Sequence, residues 1–163
     1  MMTHMSQIAK HIRELHFGGN WTYSNLKDTL ANVTWEQAIT PVYSLNTIAT
    51  LVFHVNYFVD AVLPVLQGGS LNAHDKFSFD HPPINSEADW QKLVNKALND
   101  AEKFAALVEN LPESKLWENF TEEKYGNYYR NFLGIIEHTH YHLGQIALVK
   151  KLLMEMDKNQ SLK

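Results

Sequence analysis

Cysteine is absent from the sequence, so neither a disulfide framework nor a thiolate metal site can form. Any metal must therefore be held by histidine, carboxylate, carbonyl or water. Basic clusters are also absent and the formal net charge is -4, which leaves no electrostatic footprint for nucleic acid. No run reaches the ~18–20 uninterrupted apolar residues of a membrane span. These absences predict a protein with neither a nucleic-acid nor a membrane partner.

The N-terminal residues 1–8 lack the apolar centre of a signal peptide, so we expect a cytoplasmic protein. Hydrophobic residues make up 45% of the chain, which excludes a disordered protein. With 163 residues the chain is long enough for one sizeable core, and we predict a single domain over residues 1–163. No repeat and no strand-like alternation of any length is present, which favours an all-α fold.

Apolar residues at helical spacing predict four long helices. The first ends at the glycine pair 18–19, the second spans Ser44 to Leu66, the third runs from Ser86 to just before Pro112, and the fourth covers roughly Asn127 to Met156. Short helical inserts are predicted between the first two, one of them started by a capping box at residues 34–37. Residues 71–85 predict a long crossover loop. The predicted architecture is a four-helix bundle.

The sequence His138-Thr139-His140-Tyr141-His142 places three histidines at alternate positions near the end of the chain. On a strand all three would share a face, whereas on a helix only His138 and His142 would. The residues that follow keep the 3, 4, 3, 4 spacing of one helical stripe, which favours the helix. His140 is then predicted to point about 200° away from His138.

Imidazoles on the apolar face of a helix are costly unless their ring nitrogens find partners. A divalent metal satisfies them, and histidines at i and i+4 form helical zinc sites. For this composition the number of histidine pairs at i and i+4 expected by chance is about one half. The alternative interpretation is therefore two core histidines bonded to backbone or water. His54 lies on the buried stripe of the second helix, so His54, His138 and His142 together predict a three-imidazole site for Zn²⁺ or Ni²⁺.

The segment from His138 to Ile146 resembles the H-x-x-Y-H-x-G-Q-I signature of the DinB-like (YfiT-like) superfamily. His54, in a long second helix after a tryptophan-containing segment, is similar to the upstream histidine of that family. The resemblance implies a four-helix bundle, often dimeric, in which His54, His138 and His142 hold a metal. It also implies an activity as a metal-dependent hydrolase or a thiol-dependent transferase that acts on a small-molecule substrate or thiol.

Two functions stay open at this point. The first is an enzyme whose metal activates water or a thiol on a small substrate, and the second is a non-catalytic dimeric bundle that binds a metal or small ligand. An open cleft beside the metal would favour the enzyme, and a closed apolar site would favour the binding protein. A peptidase is disfavoured because Thr139 stands where H-E-x-x-H enzymes carry their general base. Haem is disfavoured because His138 and His142 would approach an iron from the same side.

Several further residues are assigned roles around this predicted site. Gln145 would orient His142, Thr50 would bond an imidazole or a bound water, and Tyr141 would lie at the edge. His74 and His81, in the crossover loop, are either extra ligands or ordinary loop residues. For the predicted homodimer, the candidate interface residues are Trp90, Phe104 and Phe132, which fit the core equally well. His11 and His16, on the first helix, are predicted to be solvated.

Overall fold

The computed structural model describes residues 3–161, and Met1, Met2, Leu162 and Lys163 of the predicted 1–163 domain lie outside this range. The described chain forms six α-helices. They are α1 (His4–Phe17), α2 (Leu26–Leu30), α3 (Trp35–Ile39), α4 (Ile48–Leu66), α5 (Glu87–Glu109) and α6 (Tyr128–Ser161). Three short 3₁₀ turns, at Asp75–Phe77, Glu113–Trp117 and Glu123–Tyr125, connect them. Within residues 3–161 there is no β-strand, so the prediction of an all-α fold is confirmed.

Side-chain caps fix where the helices begin. Thr47 accepts a hydrogen bond from the Thr50 amide and starts α4, and Ser86 accepts from the Asp89 amide and starts α5. Thr34 and Gln37 form the predicted reciprocal capping box at α3. At the other end of α1, Gly18 adopts a φ of 107°, which favours glycine and stops the helix before residue 19 as predicted.

The four long helices pack around one cluster of buried apolar side chains. α5 contacts both α1 and α4, and α6 contacts the same two helices from the other side. The short helices are tied to this arrangement by polar contacts: Lys150 of α6 donates to the carbonyls of Thr29 and Ala31 at the end of α2. The Trp90 indole of α5 donates to the Val33 carbonyl at 2.9 Å. The result places α4 and α6 side by side, which positions the histidines.

Two helix boundaries differ from the predictions. α4 begins at Ile48 rather than Ser44, because residues 42–45 form a turn in which the Leu45 amide donates to the Val42 carbonyl, and Tyr43 has a φ of 51°. α6 extends beyond Met156 to Ser161. Its apolar stripe ends at Leu153, and residues 154–159 are exposed. The periodic stripe therefore marked the packed part of α6 and not its end.

The structure decides between core and interface for three aromatic residues, and it contradicts the prediction for one histidine. Trp90, Phe104 and Phe132 are fully buried in the core, so none of them can form a dimer interface. His16 is buried rather than solvated, with only 2% of its surface exposed. Its burial is tolerated because its Nδ1–H donates to the Ile12 carbonyl of the preceding turn at 2.8 Å.

α4 is the one helix of residues 3–161 that is long and apolar enough to cross a membrane by length and composition. A buried core helix passes the same test, and 56% of its most apolar window is buried inside the protein. In this fold α4 packs against α5 and α6, and these contacts account for its apolar composition.

Candidate metal centre

Three histidines converge where α4 lies against α6. His138 and His142 are one turn apart on α6, and His54 faces them from α4. One ligand atom from each lies within 4.8 Å of the other two, which is close enough for all three to bind one metal ion. The ring centroids form a nearly equilateral triangle, with separations of 4.5, 4.7 and 4.8 Å. His54 and His142 are buried, and His138 is partly buried.

Hydrogen bonds at the outer ring nitrogens fix the tautomers of two of these imidazoles. His54 donates its Nδ1–H to the Ser78 carbonyl at 3.2 Å, and His142 donates its Nδ1–H to Gln145 Oε1 at 2.7 Å. A carbonyl oxygen can only accept, so the Nε2 atoms of both rings carry a lone pair. His138 Nε2 lies 3.0 Å from His54 Nε2. Because His54 Nε2 has the lone pair, the His138 Nε2–H donates to it in this metal-free structure. The inner nitrogens of the cluster thus face one another, and two of the rings have oriented outer partners of the kind that metal ligands have.

The fold favours the neutral form of His138 and His54. Burial, with the neighbouring His142 and His54 second, lowers the pKa of His138 from 6.5 to about 4. Burial also lowers the pKa of His54, although its hydrogen bond to Ser78 opposes the change. Neutral imidazole is the form that binds a metal, so these rings need not lose a proton to the solvent first.

Aromatic side chains hold His54 in place. The Phe79 ring stacks on the His54 imidazole with centroids 3.9 Å apart and planes inclined by 10°. Phe58 of α4 meets both His54 and His138 edge-on, at 5.3 and 5.1 Å. Phe79 belongs to the 71–85 loop, which therefore covers one side of the cluster.

A cavity of about 670 Å³ opens beside the cluster, and His54 and His138 form part of its wall. Most of the remaining wall is apolar. Gly134, one turn before His138 on α6, contributes no side chain, and a Cβ added there would meet no atom within 4 Å. Such a cavity is the open cleft that distinguishes a reactive metal centre from a closed one.

The cluster fits a divalent metal by its donor chemistry. Nitrogen ligands at ~2.1 Å from a tetrahedral zinc lie about 3.4 Å apart, so separations between 3.0 and 4.8 Å require only small ring movements. A zinc ion held by three imidazoles would keep a further coordination position for water or substrate, which is typical of catalytic rather than structural zinc.

Of the neighbouring residues with predicted roles, Gln145 contacts His142 as predicted, and its Nε2 donates to the Tyr141 hydroxyl at 3.3 Å. Tyr141 lies at the edge of the cluster, with its ring 4.9 Å from that of His142. Thr50 is not at the site: its hydroxyl is paired with that of Thr47 at 2.8 Å in the cap of α4. Glu137 is exposed and lies outside the cluster.

The structure places the other candidate histidines away from the cluster. His140 projects from the other side of α6 and contacts His11 of α1, with ring centroids 6.1 Å apart. His74 is exposed, and its backbone exchanges hydrogen bonds with the Tyr57 hydroxyl. His81 donates its Nδ1–H to the Pro82 carbonyl. Neither His74 nor His81 supplies a ligand to the three-histidine cluster.

Sequence reasoning missed the residues that the 71–85 loop and the start of α6 bring to the site. Ser78 and Phe79 contact His54, and Asp75 and Arg130 line the cavity. The sequence signal for the loop was weak: Phe77-Ser78-Phe79 is an aromatic pair in a segment without periodicity. Arg130 carried a clearer signal, because Arg130, Gly134 and His138 are spaced four residues apart and share one face of α6.

Comparisons of the chain with known protein families, with curated proteins and with solved structures return no match. The geometry of the cluster and its cavity therefore carries the functional argument.

Proposed function

We propose that the protein is a metal-dependent enzyme of the DinB-like superfamily, in which His54, His138 and His142 hold a Zn²⁺ or Ni²⁺ ion. The observation that carries the proposal is the convergence of three imidazoles beside an open cavity, two of which, those of His54 and His138, form part of its wall. Bound there, the metal would act as a Lewis acid and lower the pKa of a water or thiol nucleophile. The substrate is a small molecule that occupies the cavity, and the reaction is hydrolysis or thiol transfer.

The chain's own residues supply orientation and proton transfer. Ser78 and Gln145 keep the His54 and His142 rings turned so that Nε2 faces inward. Among the described residues that line the cavity, Asp75 is the only carboxylate, and its charge acts on His54. We assign its carboxylate the role of accepting the proton that the nucleophile releases. Phe58 and Phe79 limit the access of bulk water to the imidazoles.

The proposal includes the wider properties of the superfamily. The helices α1, α4, α5 and α6 would be the four members of the bundle, with residues 1–163 as one domain. The protein would act in the cytoplasm as a homodimer. Its interface would use exposed aromatic residues instead of the buried ones first considered, because Trp21, Tyr23 and Tyr43 are each more than four-fifths exposed.

The experiment that tests the proposal combines metal analysis with two assays. Purified protein is stripped with EDTA and reloaded with Zn²⁺ or Ni²⁺. It is then assayed for hydrolysis of p-nitrophenyl acetate, and for conjugation of 1-chloro-2,4-dinitrobenzene with a panel of low-molecular-weight thiols. We expect one activity to be lost with the metal and restored with it. Stoichiometric metal without either activity would favour the non-catalytic binding protein.

A pair of glycine substitutions distinguishes the role of the cavity from the role of the metal. Gly134→Leu places a side chain in the cavity, where the added Cβ meets no atom, and should lower turnover while leaving metal content unchanged. Gly144→Leu is the matched control, because Gly144 also lies in α6 with open space around it but does not line the cavity. Equal activity in the two variants would mean that the cavity is not the substrate site.

A further inference from the structure

The cavity beside the histidine cluster is lined by two charged side chains of opposite sign. One is Asp75, whose charge acts on His54. The other is Arg130, two helical turns before His138 on α6, and no ion pair joins it to Asp75 within residues 3–161. The wall between them is built largely from apolar side chains such as Phe58, Val62 and Ile135. A molecule that fills this cavity would therefore have an apolar body and unlike ends.

Arg130 is not used by the fold. Among the described residues that line the cavity it is the only arginine or lysine, and its guanidinium makes no hydrogen bond or ion pair with any residue of the described chain. Its aliphatic part lies close to the backbone at Gly126, where an added Cβ would come within 2.8 Å of Arg130 Cδ. Arg130 is exposed at this edge of the cavity, so its five donors stay available to a ligand.

Helix geometry fixes how far Arg130 lies from the histidines. Arg130, Gly134 and His138 occupy positions i, i+4 and i+8 on one face of α6. The rise between the first and the last is about 12 Å. Gly134 lies between them in the cavity wall, and a Cβ added there would meet no atom within 4 Å.

The first turn of α6 adds positive potential near Arg130. Two of its amides are already engaged: Tyr128 N–H donates to the Glu118 carbonyl, and Arg130 N–H donates to Asn127 Oδ1. A ligand there would be bound by the planar guanidinium and not by a nest of amides. A single guanidinium matches the two oxygens of one carboxylate, and Asp75 in the same cavity disfavours a doubly charged phosphate.

We propose that Arg130 is a specificity-determining residue that binds the carboxylate of a substrate with an apolar body, and so directs the other end of that substrate to the histidine cluster. The inference rests on the proposed function for the identity of the reacting end. Binding at Arg130 itself requires no metal.

The test uses 4-phenylbutyrate and its neutral amide, 4-phenylbutyramide, as probes, with dissociation constants from ligand-observed NMR titration. Both are titrated into EDTA-treated and Zn²⁺-loaded protein. We expect the carboxylate to bind about tenfold more tightly than the amide, because its hydrogen bonds to Arg130 are charge-assisted. The preference should be present with and without metal. Arg130→Gln should remove it while leaving amide binding unchanged, and Arg130→Lys should retain part of it.

The matched control is Lys151→Gln, which removes one positive charge from an exposed position of the same helix, outside the cavity. It should keep the preference. The proposal is overturned if neither probe binds, if acid and amide bind equally, or if Arg130→Gln keeps the preference. A preference that appears only with Zn²⁺ would also overturn it, because the carboxylate would then bind the metal. Failure of the proposed function is seen separately, as a lack of metal binding in protein that still prefers the acid.

Discussion

α6 carries histidines on two of its sides, and the histidines on the two sides have different partners. Towards α4, His138 and His142 meet His54, and three ring nitrogens converge. Towards α1, His140 meets His11 with ring centroids 6.1 Å apart, and the nearby His16 has its Nδ1–H bonded to the Ile12 carbonyl of its own helix. Residues 3–161 contain no second place where three such ligands come together.

The difference shows that burial of a histidine is not the signal of a metal centre. His16 is more buried than His54 or His142 and has its pKa lowered by that burial, yet a backbone carbonyl satisfies it. In the cluster the outer nitrogens of His54 and His142 are bonded to oxygen acceptors, and the inner nitrogens of the rings face one another, with His138 Nε2 bonded only to His54 Nε2. Inner ring nitrogens that converge, and that the fold bonds to no backbone or other side-chain oxygen, are what favours a metal.

The largest expected effect separates the two sides of α6. His142→Ala should abolish metal binding, because two imidazoles remain in place of three. His140→Ala should leave metal content unchanged, because its ring faces α1. Metal content per chain after dialysis measures both. Loss of metal from the His140 variant together with its retention in the His142 variant would mean that the metal binds on the side of α6 that faces α1.

A smaller effect is expected at the outer partner of His142. Gln145→Ala removes the acceptor of the His142 Nδ1–H and should weaken metal affinity about 10- to 100-fold. Gln145→Glu, which keeps an acceptor, should bind nearly as tightly as the unmodified protein. Gln91→Ala, on an exposed part of α5, is the control for loss of an amide. Competition titrations with a chelating dye give the metal dissociation constants. Equal affinities across the series would mean that Gln145 does not orient His142.

The smallest effect concerns acid stability of the metal-free protein. The folded state holds the pKa of His138 at about 4, below the value of 6.5 for the unfolded chain. Between these pH values the unfolded chain binds more protons, so the free energy of unfolding should fall as the pH drops from about 6.5 towards 4. Urea denaturation of EDTA-treated protein at several pH values measures this slope. His138→Gln should flatten it, and unchanged slopes would mean that His138 is not held neutral by the fold.

The helices and the three histidines could be predicted from the sequence because helical periodicity is a local property. His54, His138 and His142 lie on buried stripes, and the stripes of α4 and α6 are continuous enough to be recognised. The same reasoning failed at helix ends, where the spacing of polar and apolar residues does not determine the boundary. The turn at residues 42–45 and the cap at Thr47 moved the start of α4, and the polar end of α6 continued as helix without a stripe.

The parts of the site that could not be predicted depend on contacts between segments far apart in sequence. The Ser78 carbonyl and the Phe79 ring reach His54 across 24 and 25 residues, from a loop whose conformation follows no periodic pattern. Similarly, His16 lies on the apolar stripe of α1. It can be buried there because its side chain donates a hydrogen bond to the Ile12 backbone carbonyl. Those contacts become visible only when the helices are packed.

The most direct test of the metal centre is anomalous diffraction at the zinc edge from crystals of the Zn²⁺-loaded protein. The account predicts one strong peak per chain, with the Nε2 atoms of His54, His138 and His142 at ~2.0–2.1 Å from it. A map without a peak between these rings, or with its zinc peak at His11 and His140 instead, would contradict it.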